Sequence, residues 1–421
     1  MTNRGASMSV RHNEVVSSWL SATVCAALLV AAAPARAGNQ DCLECHSTKS
    51  QVVDAASALG VTVTDERAAR LVVTAMSTDS PHSGAACADC HPKATEIPHP
   101  SGMLAENPCL TCHEDVLGTL NKSTHGDPAG GSAIRASCAD CHGAHDIRRV
   151  RDPKSFVSPS HVAQRCLQCH DKSEYLEGVH GQGVELAGLD IAATCVSCHG
   201  GHDILNHTQA GSRVARRNIS FTCGKCHGRL AETYRASVHG AALMANDNPD
   251  VPTCVDCHEA HGTVDPRTPR FRQGSPQICG KCHADATMMA KYGLSTDVFS
   301  TYVADFHGTT AELFRAVTPD QPLNQAVCYD CHGQHDIVSV RKAGHAAVAT
   351  RLLARCQRCH PGASASFLSA WTGHYVPSPS RYPLIFWVRM FYNLVIPSTV
   401  GFFLLYIAID MWGRRRQRRS S

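Results

Sequence analysis

Twenty-two of the 23 cysteines fall in one pattern, C-x-x-C-H, repeated eleven times along 421 residues. The copies are Cys42, Cys45 and His46; Cys87, Cys90 and His91; Cys109, Cys112 and His113; Cys138, Cys141 and His142; Cys166, Cys169 and His170; Cys195, Cys198 and His199. Then follow Cys223, Cys226 and His227; Cys254, Cys257 and His258; Cys279, Cys282 and His283; Cys328, Cys331 and His332; Cys356, Cys359 and His360. No copy lacks the histidine, and only Cys25 stands outside the pattern. A disulfide framework has no use for an invariant histidine. Zinc knuckles pair C-x-x-C units without requiring one after each.

The spacing matches covalent haem attachment. Two thiols add to the two vinyl groups of one porphyrin, and two intervening residues let a short turn reach both. The adjacent histidine then presents its imidazole to the iron as proximal ligand. Eleven covalently bound c-type haems are expected, with His46, His91, His113, His142, His170, His199, His227, His258, His283, His332 and His360 on the irons. Aromatic residues make up only 6% of the chain, so porphyrins rather than side chains are expected to fill the interior.

On these eleven motifs, between roughly residues 40 and 375, the sequence resembles the multihaem c-type cytochromes of bacterial anaerobic respiration. The resemblance implies electron transfer, and haem attachment outside the cytoplasmic membrane.

Both ends carry membrane signals. Arg4 and Arg11 precede an apolar run, Val15–Ala33, and Ala35-Arg36-Ala37 offers a cleavage site before Gly38. Residues 1–37 therefore read as a secretory signal peptide, with a retained anchor as the other reading. Met390–Ile409 is twenty residues without a charge, roughly 30 Å as a helix. Trp387, Tyr392, Tyr406 and Trp412 flank it, and five arginines follow within the last eight residues. Residues 382–412 read as a transmembrane anchor rather than a buried core helix. Residues 413–421 read as a basic cytoplasmic tail, and residues 38–381 as a periplasmic haem domain. The formal charge of +3 comes from these ends; without residues 1–37 and the tail the balance is −4. That excludes a basic surface for nucleic acid.

The odd-numbered motifs begin at 42, 109, 166, 223, 279 and 356, at spacings of 67, 57, 57, 56 and 77 residues. Such regularity predicts repeated dihaem units. Each unit reads C-x-x-C-H, a helical stretch ending in His-Gly, a loop, then C-x-x-C-H, often followed by Gly-x-His-Asp-Ile. The glycine is expected as a helix C-cap, as in Leu230–Gly240. The fold is thus expected to be mainly α with extensive loops and one C-terminal transmembrane helix.

Fourteen histidines remain outside the motifs and residues 1–37. Repeat slots nominate eleven as distal ligands. His125, His180, His239 and His307 are of the His-Gly type, with His82 and His374 in matching slots. His145, His202, His261 and His335 are of the His-x-x-His type, with His99 as the irregular counterpart. His161, His207 and His345 are spare, and no slot favours Met76, Met103, Met244, Met288 or Met289. Histidines one helical turn apart cannot reach opposite faces of one porphyrin, so each distal ligand should serve another haem. The aspartate after the distal histidine, as in His145-Asp146, would either accept a hydrogen bond from an imidazole or cap a turn.

Two bis-histidine axial ligands leave no open face, which points to an electron-transfer subunit rather than a stand-alone enzyme. Anchors of this kind resemble those of haem-rich subunits working with a quinol-oxidising membrane subunit of cytochrome b type. The expected role is transfer between the quinol pool and periplasmic or outer-membrane acceptors. The alternative is a multihaem reductase of nitrogen or sulfur oxyanions. Its open-face haem would be lined from the longest inter-motif interval, Ala284–Val327, with Met288, Met289, Tyr292, Tyr302 and His307.

Overall fold

The computed structural model describes residues 38–73, 79–99, 108–126, 136–322, 324–339, 345–370, 374, 376–380 and 382–420. The candidate signal peptide, Cys25, Met76 and Met103 lie outside these residues. Among the described residues there are helices, turns and loops but no strand. The chain divides into two units, residues 1–117 with 137–149, and residues 118–136 with 150–421.

Local chemistry makes two kinds of motif. Even-numbered motifs each form a one-turn helix, such as Cys254–His258. The residue before the first cysteine donates its N–H to the side chain three positions on. Ser137 donates to Asp140 at 2.6 Å, Thr194 to Ser197 at 3.0 Å, Thr253 to Asp256 at 2.6 Å and Val327 to Asp330 at 2.7 Å. This closes a turn too short to hold itself by intrahelical bonds. Gly143, Gly200 and Gly333 then end it at φ of 79°, 91° and 90°, with Glu259 at 64° in the fourth repeat. In the second unit odd-numbered motifs instead ride the ends of longer helices: Cys166 lies in Val162–Leu167, Cys223 in Ile219–Gly224 and Cys279 in Pro269–His283, whereas Cys109 of motif three lies in the short 3-10 turn Pro108–Thr111.

In the first unit, Asn39 joins motifs one and two. Its amide donates to the Ala85 carbonyl at 3.1 Å, and the Cys87 N–H donates to its oxygen at 2.7 Å. In the second unit, Arg272 on the motif-nine helix grips Asp330 of motif ten at 3.1 and 2.8 Å, and the Gln325 carbonyl at 2.8 Å.

The helix expected over Leu230–Gly240 is two helices, Gly228–Ala236 and Val238–Asn246. Ser237 caps the second, accepting from the Gly240 N–H at 3.2 Å. His-Gly therefore opens a helix rather than closing one. The glycine is required by close approach. A Cβ at Gly126, Gly181, Gly240 or Gly308 would collide with the carbonyl oxygen six residues earlier, on Leu120, Tyr175, Tyr234 or Tyr302. The three tyrosines are buried and donate their hydroxyls to the carbonyls of Ala193 at 2.8 Å, Pro252 at 2.6 Å and Ala326 at 3.0 Å. Each acceptor sits two residues before an even-numbered motif, so the tyrosine locks the helix pair onto the next attachment turn.

Side chains do not build a large apolar core. Leu243 and Val327 are the largest fully buried apolar side chains among the described residues, alongside serines 123, 158, 212 and 220. At the C-terminus a single helix runs Pro383–Ser420 with Pro397 inside it. Its segment Pro383–Gln417 is long and apolar enough to cross a membrane, and none of it is buried. The helix runs on through the arginine run, where Arg414 pairs with Asp410 at 2.9 Å.

Candidate haem-binding sites

Imidazoles face one another in pairs, each pairing one motif histidine with one candidate distal histidine. In the first unit the pairs are His46–His99, His82–His113 and His91–His145, with ring centroids 6.0, 6.1 and 6.1 Å apart. In the second they are His125–His170 at 5.9 Å, His180–His227 at 6.3 Å and His199–His261 at 6.1 Å. His239–His283 at 6.3 Å, His258–His335 at 6.0 Å, His307–His360 at 6.4 Å and His332–His374 at 6.1 Å complete them. Motif His142 falls in the first unit and candidate His202 in the second.

These separations fit one metal between two rings. Imidazole nitrogens sit about 2 Å from a bound metal, which places the two centroids roughly 6 Å apart. Rings in van der Waals contact would be closer. Among the described residues no group of three or more His, Cys, Asp or Glu is arranged to hold an ion. Each facing pair would supply two imidazole nitrogens to one iron.

Tautomers agree with this. His46 Nδ1 lies 2.9 Å from the Leu71 carbonyl and His99 Nδ1 lies 2.8 Å from the Glu96 carbonyl. Each Nδ1–H donates there, leaving Nε2 to face a metal. Burial, then the facing imidazole, pushes both His239 and His332 down to about 4. Both rings are held neutral, the form that ligates.

The pairing follows a rule. Each His-Gly histidine faces the odd-numbered motif of the next repeat: His180, between motifs five and six, faces His227 of motif seven. Three His-x-x-His partners face the even-numbered motif of the previous repeat: His145 faces His91, His335 faces His258, and His261, after motif eight, faces His199 of motif six. His145 faces His91, not the adjacent His142.

The attachment thiols, which stand where thioether sulfurs would be, run in sequence order within each unit. Side-chain hydrogen bonds join Cys42 to Cys87 and Cys109 to Cys138 in the first unit. In the second they join Cys166 to Cys195, Cys223 to Cys254 and Cys279 to Cys328. Between these pairs, Cys198 is in electrostatic reach of Cys223, Cys257 of Cys279 and Cys331 of Cys356.

The aspartate of Gly-x-His-Asp-Ile folds back against the turn glycine and pairs with an arginine. Arg213 donates to Asp203 at 2.7 Å, holding that carboxyl below the usual carboxylate range. Arg355 donates to Asp336 at 3.0 Å, and Arg351 joins it. Beside the two local readings the structure thus gives the aspartate an arginine partner. The phrase's isoleucine has its own role: Thr124 donates its N–H to the Ile204 carbonyl and Val238 to that of Ile337, both at 2.8 Å, as Val179 does to Thr263.

His161 lies 3.1 Å from Ser158 Oγ through Nδ1, and His207 is exposed. The side chain of His345 lies outside the described residues. The interval proposed for an open-face site is otherwise engaged. Tyr302 donates to Ala326, Tyr292 donates to Asp250 at 2.9 Å, Met289 is buried and His307 faces His360. The seating role of the tyrosine five residues before His180, His239 and His307, and the arginine partners, escaped the sequence reading, which had Tyr302 only in the lining of the open-face alternative. The recurring Tyr-x-x-x-x-His-Gly was the available signal.

The chain matches the family model described as Cytochrome c3 over residues 80–153. It matches that described as Doubled CXXCH motif over residues 248–288. Over these two stretches the chain is similar to multihaem c-type cytochromes. The first match spans motifs two to four and the pairs His82–His113 and His91–His145; the second spans motifs eight and nine. The matches support covalently bound c-type haems and, in general terms, a role in electron transfer. No curated protein and no solved structure matches the chain.

Proposed function

We propose that the chain holds eleven haems, one per motif, each between two histidines. It conducts electrons between the quinol pool and periplasmic or outer-membrane acceptors. The observation that carries this reading is the facing of imidazoles at metal-spanning distance in every described pair. When bound, each haem supplies a one-electron couple tuned by its axial ligands, hydrogen bonding and exposure. The chain's own part is to fill both axial faces, so that substrate finds none, and to keep the imidazoles neutral. Cysteines in sequence order set neighbouring sites side by side.

In this reading residues 1–37 direct export and residues 38–381 lie in the periplasm. Residues 382–412 span the cytoplasmic membrane, and residues 413–421 face the cytoplasm by the positive-inside rule. No histidine lies in Pro383–Ser420. A separate quinol-oxidising membrane subunit, of cytochrome b type, would then hand electrons to the motifs nearest the anchor. His374, nine residues before Pro383, is within about 30 Å of the membrane entry even if the link is extended.

The test is reduction of the full chain in proteoliposomes by a quinol, with and without such a subunit. Rapid haem reduction only with the subunit is expected. A resting high-spin ferric signal, with direct reduction of nitrogen or sulfur oxyanions, would favour the reductase instead.

A further inference from the structure

The angle between facing rings alternates along the second unit. At motifs six, eight and ten the planes lie 11°, 20° and 23° apart. At motifs five, seven, nine and eleven they lie 51°, 44°, 52° and 73° apart. No described pair of this unit breaks the alternation. The first unit does not share it, at 18°, 44° and 78° for motifs one, two and three.

The two sets differ in where the distal ring comes from. Near-parallel pairs at motifs six and eight take it from the loop after a one-turn motif helix. Tilted pairs at motifs seven, nine and eleven take it from the first turn of the helix opened by His-Gly, and the motif-five pair takes it from the turn at His125. Each is seated by its glycine, where any Cβ would meet the carbonyl six residues back. The frame is common to both: the N–H before His180 reaches the carbonyl two residues after His261, and the N–H before His239 reaches the one two residues after His335, each at 2.8 Å. One backbone clamp thus presents a tilted ligand and a near-parallel ligand to successive sites.

We infer that the second unit carries two alternating classes of iron site, and that Gly126, Gly181, Gly240 and Gly308 are the positioning residues of the tilted class. This rests on the reading that the facing imidazoles bind iron. Ring planes matter because each imidazole donates into one of two iron d orbitals of π symmetry. Parallel planes raise one orbital above the other and give a rhombic low-spin ferric signal. Strongly tilted planes leave the two nearly degenerate and give a far more anisotropic one. The tyrosine hydroxyls are not the cause of tilt, since Leu120 occupies the tyrosine slot at the 51° site.

The experiment is low-temperature electron paramagnetic resonance of the oxidised full chain during a redox titration. Two families of low-spin signals are expected, titrating separately. Gly308→Ala is expected to move the most anisotropic signal of this unit, leaving the rhombic family and the haem mass unchanged. Gly181→Ala repeats the test at motif seven. Tyr302→Phe is expected to keep both families. A single uniform family in the native protein overturns this inference while leaving bis-histidine ligation intact. Movement of the rhombic family alone in both glycine variants also overturns it. Absence of low-spin signals overturns the ligation reading as well.

Discussion

His374→Ala is expected to convert one haem per chain from low-spin to high-spin and to create one site that binds carbon monoxide. His374 faces His332 at 6.1 Å and lies 3.4 Å from Thr301 Oγ1 through Nδ1, so its ring is aimed from behind. Alanine removes one of two axial nitrogens while the two thioethers keep the porphyrin in place. The unfilled position then takes water or an added diatomic ligand. Native protein, with both faces filled at the described pairs, should show no carbon monoxide difference spectrum. The variant should show one that titrates to a single ligand per chain. No binding by the variant would mean that His374 does not hold iron. Strong binding by the native protein would mean that an open-face haem exists elsewhere.

Removing a site from the middle of the row is expected to have the largest effect on conduction. The double variant Cys254→Ala with Cys257→Ala deletes the attachment of motif eight. Cys254 hydrogen-bonds Cys223, and Cys257 lies in reach of Cys279. The lost cofactor therefore lies between the sites of motifs seven and nine. Electron tunnelling falls off exponentially with distance, so a gap of one porphyrin slows passage by orders of magnitude. Delivered from the membrane end, electrons should reduce motifs nine to eleven promptly and motifs five to seven far later. Stopped-flow absorbance would show one fast phase shrinking and a slow phase appearing. Unchanged kinetics, with one haem fewer by mass, would rule out a single-file path through motif eight.

Much of this was written in contiguous residues. Haem attachment requires two thiols and an imidazole within five positions, so the motifs are local, and so are the His-Gly and His-x-x-His slots. What contacts what is not local. His180 faces His227 and His261 faces His199 because each repeat lends ligands to its neighbours, which no single repeat reveals. Good helix formers over Leu230–Gly240 predicted one helix. Packing overrode that propensity, because Ser237 restarts the helix where Gly240 meets the Tyr234 carbonyl. The aspartate of His-Asp-Ile had two local explanations and found a third partner, Arg213 or Arg355, ten or more residues away.

The central claim is that paired thiols carry porphyrins throughout the chain. Intact mass spectrometry of the mature, denatured and reduced polypeptide tests it most directly. The account predicts the polypeptide mass plus eleven haem masses, with no titratable thiol at any motif. A mass matching bare polypeptide, or one accounted for by zinc, would contradict it.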